Sequence, residues 1–216
     1  MTAQIHDKVL YEGESYALVG LRGAGFFNVK DFGMTPRASV SFWHRAHTCF
    51  YMVHTQQLLL EKLTVSLAVN DEPPLLNGIA ATSSKQRATS AGKSKTSTKS
   101  DEPDPNSTKK ANHLKGLPIV WVYENVNLPI DFTGGLLLGR DFIEELYVHM
   151  GFHPAWKYRE VHELVFENGV LQSQKDCSQD LKQVRLNLAG KDRPTSNSDD
   201  DVKRWIGDCF SLKYTR

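Results

Sequence analysis

Residues 40–53 read VSFWHRAHTCFYMV, residues 54–57 HTQQ and residues 58–69 LLLEKLTVSLAV. Two long runs rich in β-branched, aromatic and aliphatic residues, joined by four polar residues, predict an antiparallel hairpin. Pro73–Pro74 stops the second run, and Asn77–Gly78 turns the chain away. This pair sets the fold class: sheet built from hairpins.

Working outward gives more of the same. Val9–Leu10–Tyr11 and Tyr16–Ala17–Leu18–Val19 flank Glu12–Gly13–Glu14, a tight hairpin. Gly20 to Pro36, with four glycines among Phe26, Phe27 and Phe32, is expected to form an ordered loop pinned by aromatics. Pro118 to Tyr123 is strand-like, and the apolar stretch Ile130 to Leu138 is bent by Gly134–Gly135. Trp156 to Phe166 alternates, Asn168–Gly169 is a strong two-residue turn signal, and Val170–Leu171 begins the returning strand. Val184, Leu186 and Leu188 alternate again. One helix is predicted over about 142–150: Asp141 caps it with Glu144 three residues on, Phe142, Leu146 and Met150 share a face, and Gly151 ends it. A second short helix is expected from Asp199–Asp201, carrying Trp205, Ile206, Cys209 and Phe210. No βαβ alternation is present, which argues against Rossmann-like and α/β-barrel enzymes. The expectation is an α+β fold, mainly antiparallel β-sheet from hairpins with one short helix.

Between the two strand-rich parts, residues 79–117 carry no aromatic residue, and ten of the nineteen residues from Thr82 to Ser100 are Ser or Thr. Such a composition buries too little apolar surface to offset chain entropy, so it reads as a disordered insertion. A loop-closure cost that grows slowly with length lets one domain, formed by residues 1–78 and 118–216, carry it. The insertion has eight Lys/Arg against three acids, net +5, leaving net −4 for the remainder. A mildly acidic body is a poor nucleic-acid scaffold. The scattered basic charges of the insertion read as a solvated linker.

Cys49, Cys177 and Cys209 are odd in number and far apart, so neither a disulfide framework nor a cysteine zinc site is indicated. A reducing, cytoplasmic setting follows, with no secretion signal and no apolar run of spanning length. His149 and His153 are four apart, but Gly151 and Pro154 interrupt any shared helical face; Phe166 stands where an H-E-x-x-H motif starting at His162 needs its second His. No metal or cofactor is assigned. The P-loop and the G-x-S-x-G elbow are both missing.

Three functional readings remain. The first is a non-enzymatic intracellular binding module of the immunity, inhibitor or adaptor kind, its partner another protein, using Trp43, Arg45, Trp156, Tyr158 and Arg159. The second is a small hydrolase or transferase with a site assembled from scattered residues. On a strand, Arg45, His47 and Cys49 would share a face, where a neighbouring imidazolium and guanidinium activate a thiolate; Glu144 and Glu145 with His149 and His153 are the other set. The third is nucleic-acid binding through the insertion and the Lys157/Arg159 face, with Trp156 and Tyr158 as stacking aromatics.

Overall fold

The computed structural model of the chain describes residues 2–83, 118–188 and Asp200. The disorder predicted over 79–117 does not hold for residues 79–83, which are ordered: Ile79 bridges Leu76, and Thr82–Ser83 pair with Val122 and Trp121. The remainder of the insertion and, apart from helical Asp200, the predicted helix near Asp199–Asp201 with Trp205 and Cys209 lie outside the described residues. What is described is mainly β, with ten strands and a single α-helix among those residues.

The strands are β1 (Lys8–Tyr11), β2 (Glu14–Ala24), β3 (His47–His54), β4 (Gln57–Leu67), β5 (Thr82–Ser83), β6 (Ile119–Tyr123), β7 (Leu128–Pro129), β8 (Thr133–Phe142), β9 (Tyr158–Glu167) and β10 (Val170–Asp176). They form one sheet in the order β10-β9-β8-β2-β1-β3-β4-β6-β5. The expected hairpins at 8–24, 47–67 and 158–176 are all present. All three turn on residues held at positive φ, Glu12–Gly13, Thr55–Gln56 and Asn168–Gly169, the twist that two-residue hairpins require.

Three expectations need correction. The sheet is mixed, because β1 pairs β3 in parallel through Lys8↔Phe50, Val9↔Tyr51 and Leu10↔Met52. The glycine-rich stretch is strand as far as Ala24, since β2 pairs β8 from Ala17 to Ala24. The β-prone run from Val40 becomes strand only at His47; Ser41–Trp43 is a 3-10 turn, and Ala46 at φ 54° breaks the alternation.

The predicted helix over 142–150 does not form. The β8 ladder extends to Phe142, opposite Tyr158, and claims the backbone that a first helical turn would need. Asp141 takes φ 58°, which is not an N-cap conformation, and only a 3-10 turn follows at Glu144–Leu146. The α-helix is instead α1 (Ser178–Leu188), where alternation had pointed to a strand. Asp176 starts it by accepting from the Ser178 amide and hydroxyl. Leu181 and Val184, three apart, face inward, whereas Leu186 is 63% exposed, so Val184 and Leu186 do not share a packed face as strand alternation requires.

β4 has the densest set of neighbours. One edge pairs β3 along its length; the other meets β10 at Gln57, β7 at Leu59–Leu60 and β6 from Leu63 to Leu67. The β10 contact returns the path to its start, so β4, β3, β1, β2, β8, β9 and β10 close into a ring. Val9, Leu18, Tyr51, Leu58, Leu60, Leu63, Leu136, Leu138, Leu164 and Phe166 fill its interior. On the outside of β2, β8 and β9 a smaller cluster of Val19, Leu137, Tyr158 and Val161 is covered by Leu181 of α1 and by Ala155. Strands from both sides of the insertion thus share one sheet and one interior core.

Where β2 crosses β8, Gly23 and Gly134 are directly paired at φ 145° and 153°. A Cβ on Gly134 would sit 2.1 Å from the Arg22 carbonyl oxygen, and one on Gly23 would sit 2.2 Å from that of Thr133. The strands approach this closely only because neither residue has a side chain. Gly134→Ala is expected to cost about 1–3 kcal/mol, read as a lower urea midpoint with an unchanged m-value in chemical denaturation.

Candidate functional site

The densest set of buried polar contacts lies where the segment entering β1 crosses the 40–47 turn. Asp7 ends that segment and its side chain is 4% exposed. Its Oδ1 accepts from the Cys49 amide at 2.8 Å and from Arg45 Nη2 at 2.8 Å, while Oδ2 accepts from Arg45 Nη1 at 2.9 Å. The Asp7 carbonyl accepts from the Leu18 amide at 2.8 Å. One residue therefore ties together the start of β1, β2, β3 and the turn. A forked guanidinium–carboxylate pair is among the stronger ways to satisfy a buried charge. Burial by itself would lower the Arg45 pKa, but the Asp7 charge and its hydrogen bonds outweigh that and raise it. The guanidinium also lies 5.2 Å from the Phe152 ring centroid.

Gln4, three residues earlier, works as a clamp. Its Nε2 donates to the Ser41 carbonyl at 2.8 Å, its Oε1 accepts from the His44 amide at 2.9 Å, and its own amide donates to Gly151 at 2.7 Å. Ala3 bridges Gly151 alongside. The Ile5 amide donates to the Phe42 carbonyl. Above this hydrogen-bonded base stand Phe42, Ile5 and Val40, which are 49%, 42% and 39% exposed.

The residues predicted to be catalytic fall as follows. Cys49 is buried, and its thiol is pushed well above the usual range, first by burial and then by the Asp7 carboxylate. His47 donates from Nδ1 to the Arg45 carbonyl, and burial followed by the Arg45 charge lowers its pKa. Both effects favour the neutral thiol and imidazole over a thiolate–imidazolium pair. Glu144 and Glu145 are exposed on the 3-10 turn, and His149 is exposed with its Nδ1 2.9 Å from the Tyr147 hydroxyl. His153 is buried among aromatics, 4.7 Å from Phe142 and 5.3 Å from Tyr147 between ring centroids.

The predicted binding residues are spread over two regions. Trp43, half-buried, donates from its indole to Thr48 Oγ1 at 2.7 Å, beside Phe42 and Arg45. Trp156 packs half-buried near α1, with the Lys157 ammonium 5.2 Å from its ring. Tyr158 is buried beside Val161, and burial pushes its phenol up. Arg159 is exposed and pairs with Asp141 at 3.2 Å, a contact that contributes little in water.

A second polar group, unmarked by any sequence motif, occupies the inward face at one end of the ring. Glu160 accepts from the Tyr16 hydroxyl at 2.8 Å and from Arg140 at 2.7 and 2.9 Å, with His162 Nε2 at 3.1 Å. Arg140 also pairs with Glu14. Burial and then the Glu160 hydrogen bond push the Tyr16 phenol up to about 12. A cleft of about 450 Å³ lies beside Tyr11, Glu12, Gln56 and Leu171–Gln174, where β10 runs beyond its single contact with β4. Among the described residues no group of three or more His, Cys, Asp or Glu is arranged to hold a metal ion. No described helix is long and apolar enough to cross a membrane.

Neither Asp7, Gln4 nor Glu160 matches a sequence motif, because the partners that define their roles, Arg45, Ser41 and Tyr16, lie 38, 37 and 144 residues away. Comparison of the chain with protein-family models, with curated proteins and with solved structures finds no match.

The buried, neutral Cys49 thiol yields a direct expectation. In a Cys209→Ser background the native protein should react with a thiol reagent at pH 8 at least about 100-fold more slowly than the urea-unfolded chain. Rapid native labelling mapped to Cys49 would contradict the burial and pKa direction together.

Proposed function

We propose that this chain is a non-enzymatic, protein-binding module of the immunity, inhibitor or adaptor kind, acting in the cytoplasm. The observation that supports it is the exposed apolar group Ile5, Val40 and Phe42, held on a base fixed by the Gln4 clamp and the Asp7–Arg45 pair. An aromatic anchor on a pre-ordered surface binds with little ordering cost, which is the usual make-up of an interface hot spot. Trp43 and Arg45 from the sequence reading lie in this region. The division into 1–78, an insertion 79–117 and 118–216 as one domain belongs to the same proposal, and the shared sheet supports it.

A second reading, a small hydrolase or transferase, draws its support from the Tyr16–Glu160–Arg140–His162 group. Glu160 already accepts from Tyr16 and Arg140, so the arrangement serves as a structural tie as readily as a reactive one.

The two separate experimentally. Affinity capture with wild-type protein and with Phe42→Asp, followed by calorimetry on the captured partner, should give a stoichiometric complex that the substitution weakens by about 30-fold or more. The far-UV spectrum and urea midpoint should stay unchanged. Equal affinity for both proteins, or turnover of a substrate that Glu160→Gln abolishes, would overturn the binding reading.

A further inference from the structure

We propose that His6 and His153 form an acid-sensitive latch that fastens residues 147–153 to the segment entering β1. Two hydrogen bonds fix the His6 tautomer. Nδ1 lies 2.9 Å from the Leu18 carbonyl, which can only accept, so Nδ1 carries the hydrogen. Nε2 then presents its lone pair to the His153 amide, which donates at 3.1 Å. Protonating His6 places a second N–H on Nε2, where it faces the amide N–H. A donor meets a donor, and the bond is lost.

His153 acts in the same direction by a different route. Its ring is 8% exposed, and neither Nδ1 nor Nε2 has a hydrogen-bond partner. Phe142 and Tyr147 pack against it through their rings. A proton there would create a charge and a further N–H inside an aromatic pocket that offers no acceptor. The charged and titratable groups around the pair are Asp7, Arg45 and the Tyr158 ring beside His6, and Lys157, His6 and the Tyr147 ring beside His153. Around His153 the neighbouring charges are cationic and reinforce burial. Around His6, the Leu18 carbonyl and Asp7 favour a proton, but burial outweighs them and lowers its pKa.

The remaining ties across this junction are few. Gln4 donates to Gly151, Phe152 packs edge-on to His6 at 5.1 Å between ring centroids, and Arg45 lies over Phe152. These ties join short segments rather than a long ladder, so this piece can open while the ring stays closed.

The sign follows from linkage. His153 titrates at about 4 in the closed form and near the ordinary value of about 6.5 once released, so opening takes up protons as the pH falls from 6.5 towards 4. At pH 5 that difference for His153 alone favours opening by about 30-fold relative to pH 7.5. Above pH 7 His153 is neutral in both forms, so protonation no longer favours opening. Its loss would also loosen Gln4, in the base beneath the exposed apolar group, and Ile5, a member of that group, although the latch itself does not depend on that group binding anything.

Amide hydrogen exchange of the full-length protein at pH 7.5 and 5.0, corrected for intrinsic rates, tests this. Opening at Phe152 and His153 should increase at least 10-fold at pH 5.0 relative to Tyr51 and Leu164. In His153→Phe, which keeps an aromatic ring in the pocket, and in His6→Gln, which keeps an acceptor without a titrating ring, the increase should shrink. The two variants are independent, so one that fails to fold leaves the other to decide. The latch is refuted if wild-type opening is the same at both pH values, or if a folded variant keeps the full pH dependence.

Discussion

The ion pair between Asp7 and Arg45 is the contact on which the other polar features depend. A carboxylate this buried is tolerable only when its oxygens are fully engaged. Here the engagement does structural work: the same oxygens that hold Arg45 also take the Cys49 amide at the start of β3. β1 lies parallel to β3, so no tight hairpin can join them, and the chain between runs from β2 through residues 25–46. Asp7 closes that long connection at its far end. The Gln4 clamp, the His6 tautomer and the exposed Phe42 are all placed within three residues, or one hydrogen bond, of this closure.

The same constraint bears on chemistry. An arginine near a cysteine and a histidine is the sequence pattern of an activated thiol, yet burial, with Asp7 beside the thiol, inverts its consequence. The guanidinium is spent on the carboxylate, burial and then the Asp7 carboxylate push the Cys49 thiol up, and burial and then the Arg45 charge lower the His47 pKa. Residue types alone leave the matter open; burial first, and then the neighbouring Asp7 and Arg45 charges, decide which protonation states are favoured. What remains on the surface above it is apolar, which is why binding rather than turnover is the function proposed.

Much of the architecture was legible in the sequence because hairpins are local. The short turn signals at Glu12–Glu14, His54–Gln57 and Asn168–Gly169 and their flanking runs gave strand pairs directly. The parallel β1–β3 pairing was not legible, since no local signal specifies it. The helix was misplaced for a related reason. Phe142, Leu146 and Met150 have helical spacing, but Phe142 pairs with Tyr158 across the sheet, and tertiary pairing overrode a local pattern. At 178–188 the short alternation of Val184, Leu186 and Leu188 masked the Asp176–Ser178 start signal. In the candidate site, Trp43 and Arg45 were visible as an aromatic and a cation. Asp7, Gln4 and Glu160 were invisible because long-range partners give ordinary residues their roles.

A double-mutant cycle on Asp7 and Arg45, using Asp7→Asn, Arg45→Met and the pair, read by urea denaturation at pH 7.5, tests this central claim most directly. The account predicts that the two substitutions are strongly non-additive, with a coupling of about 1.5 kcal/mol or more and a double variant less destabilised than the sum of the single ones. A coupling near zero would mean that the pair is an incidental contact, and the closure of the 25–46 connection would then have to rest on something else.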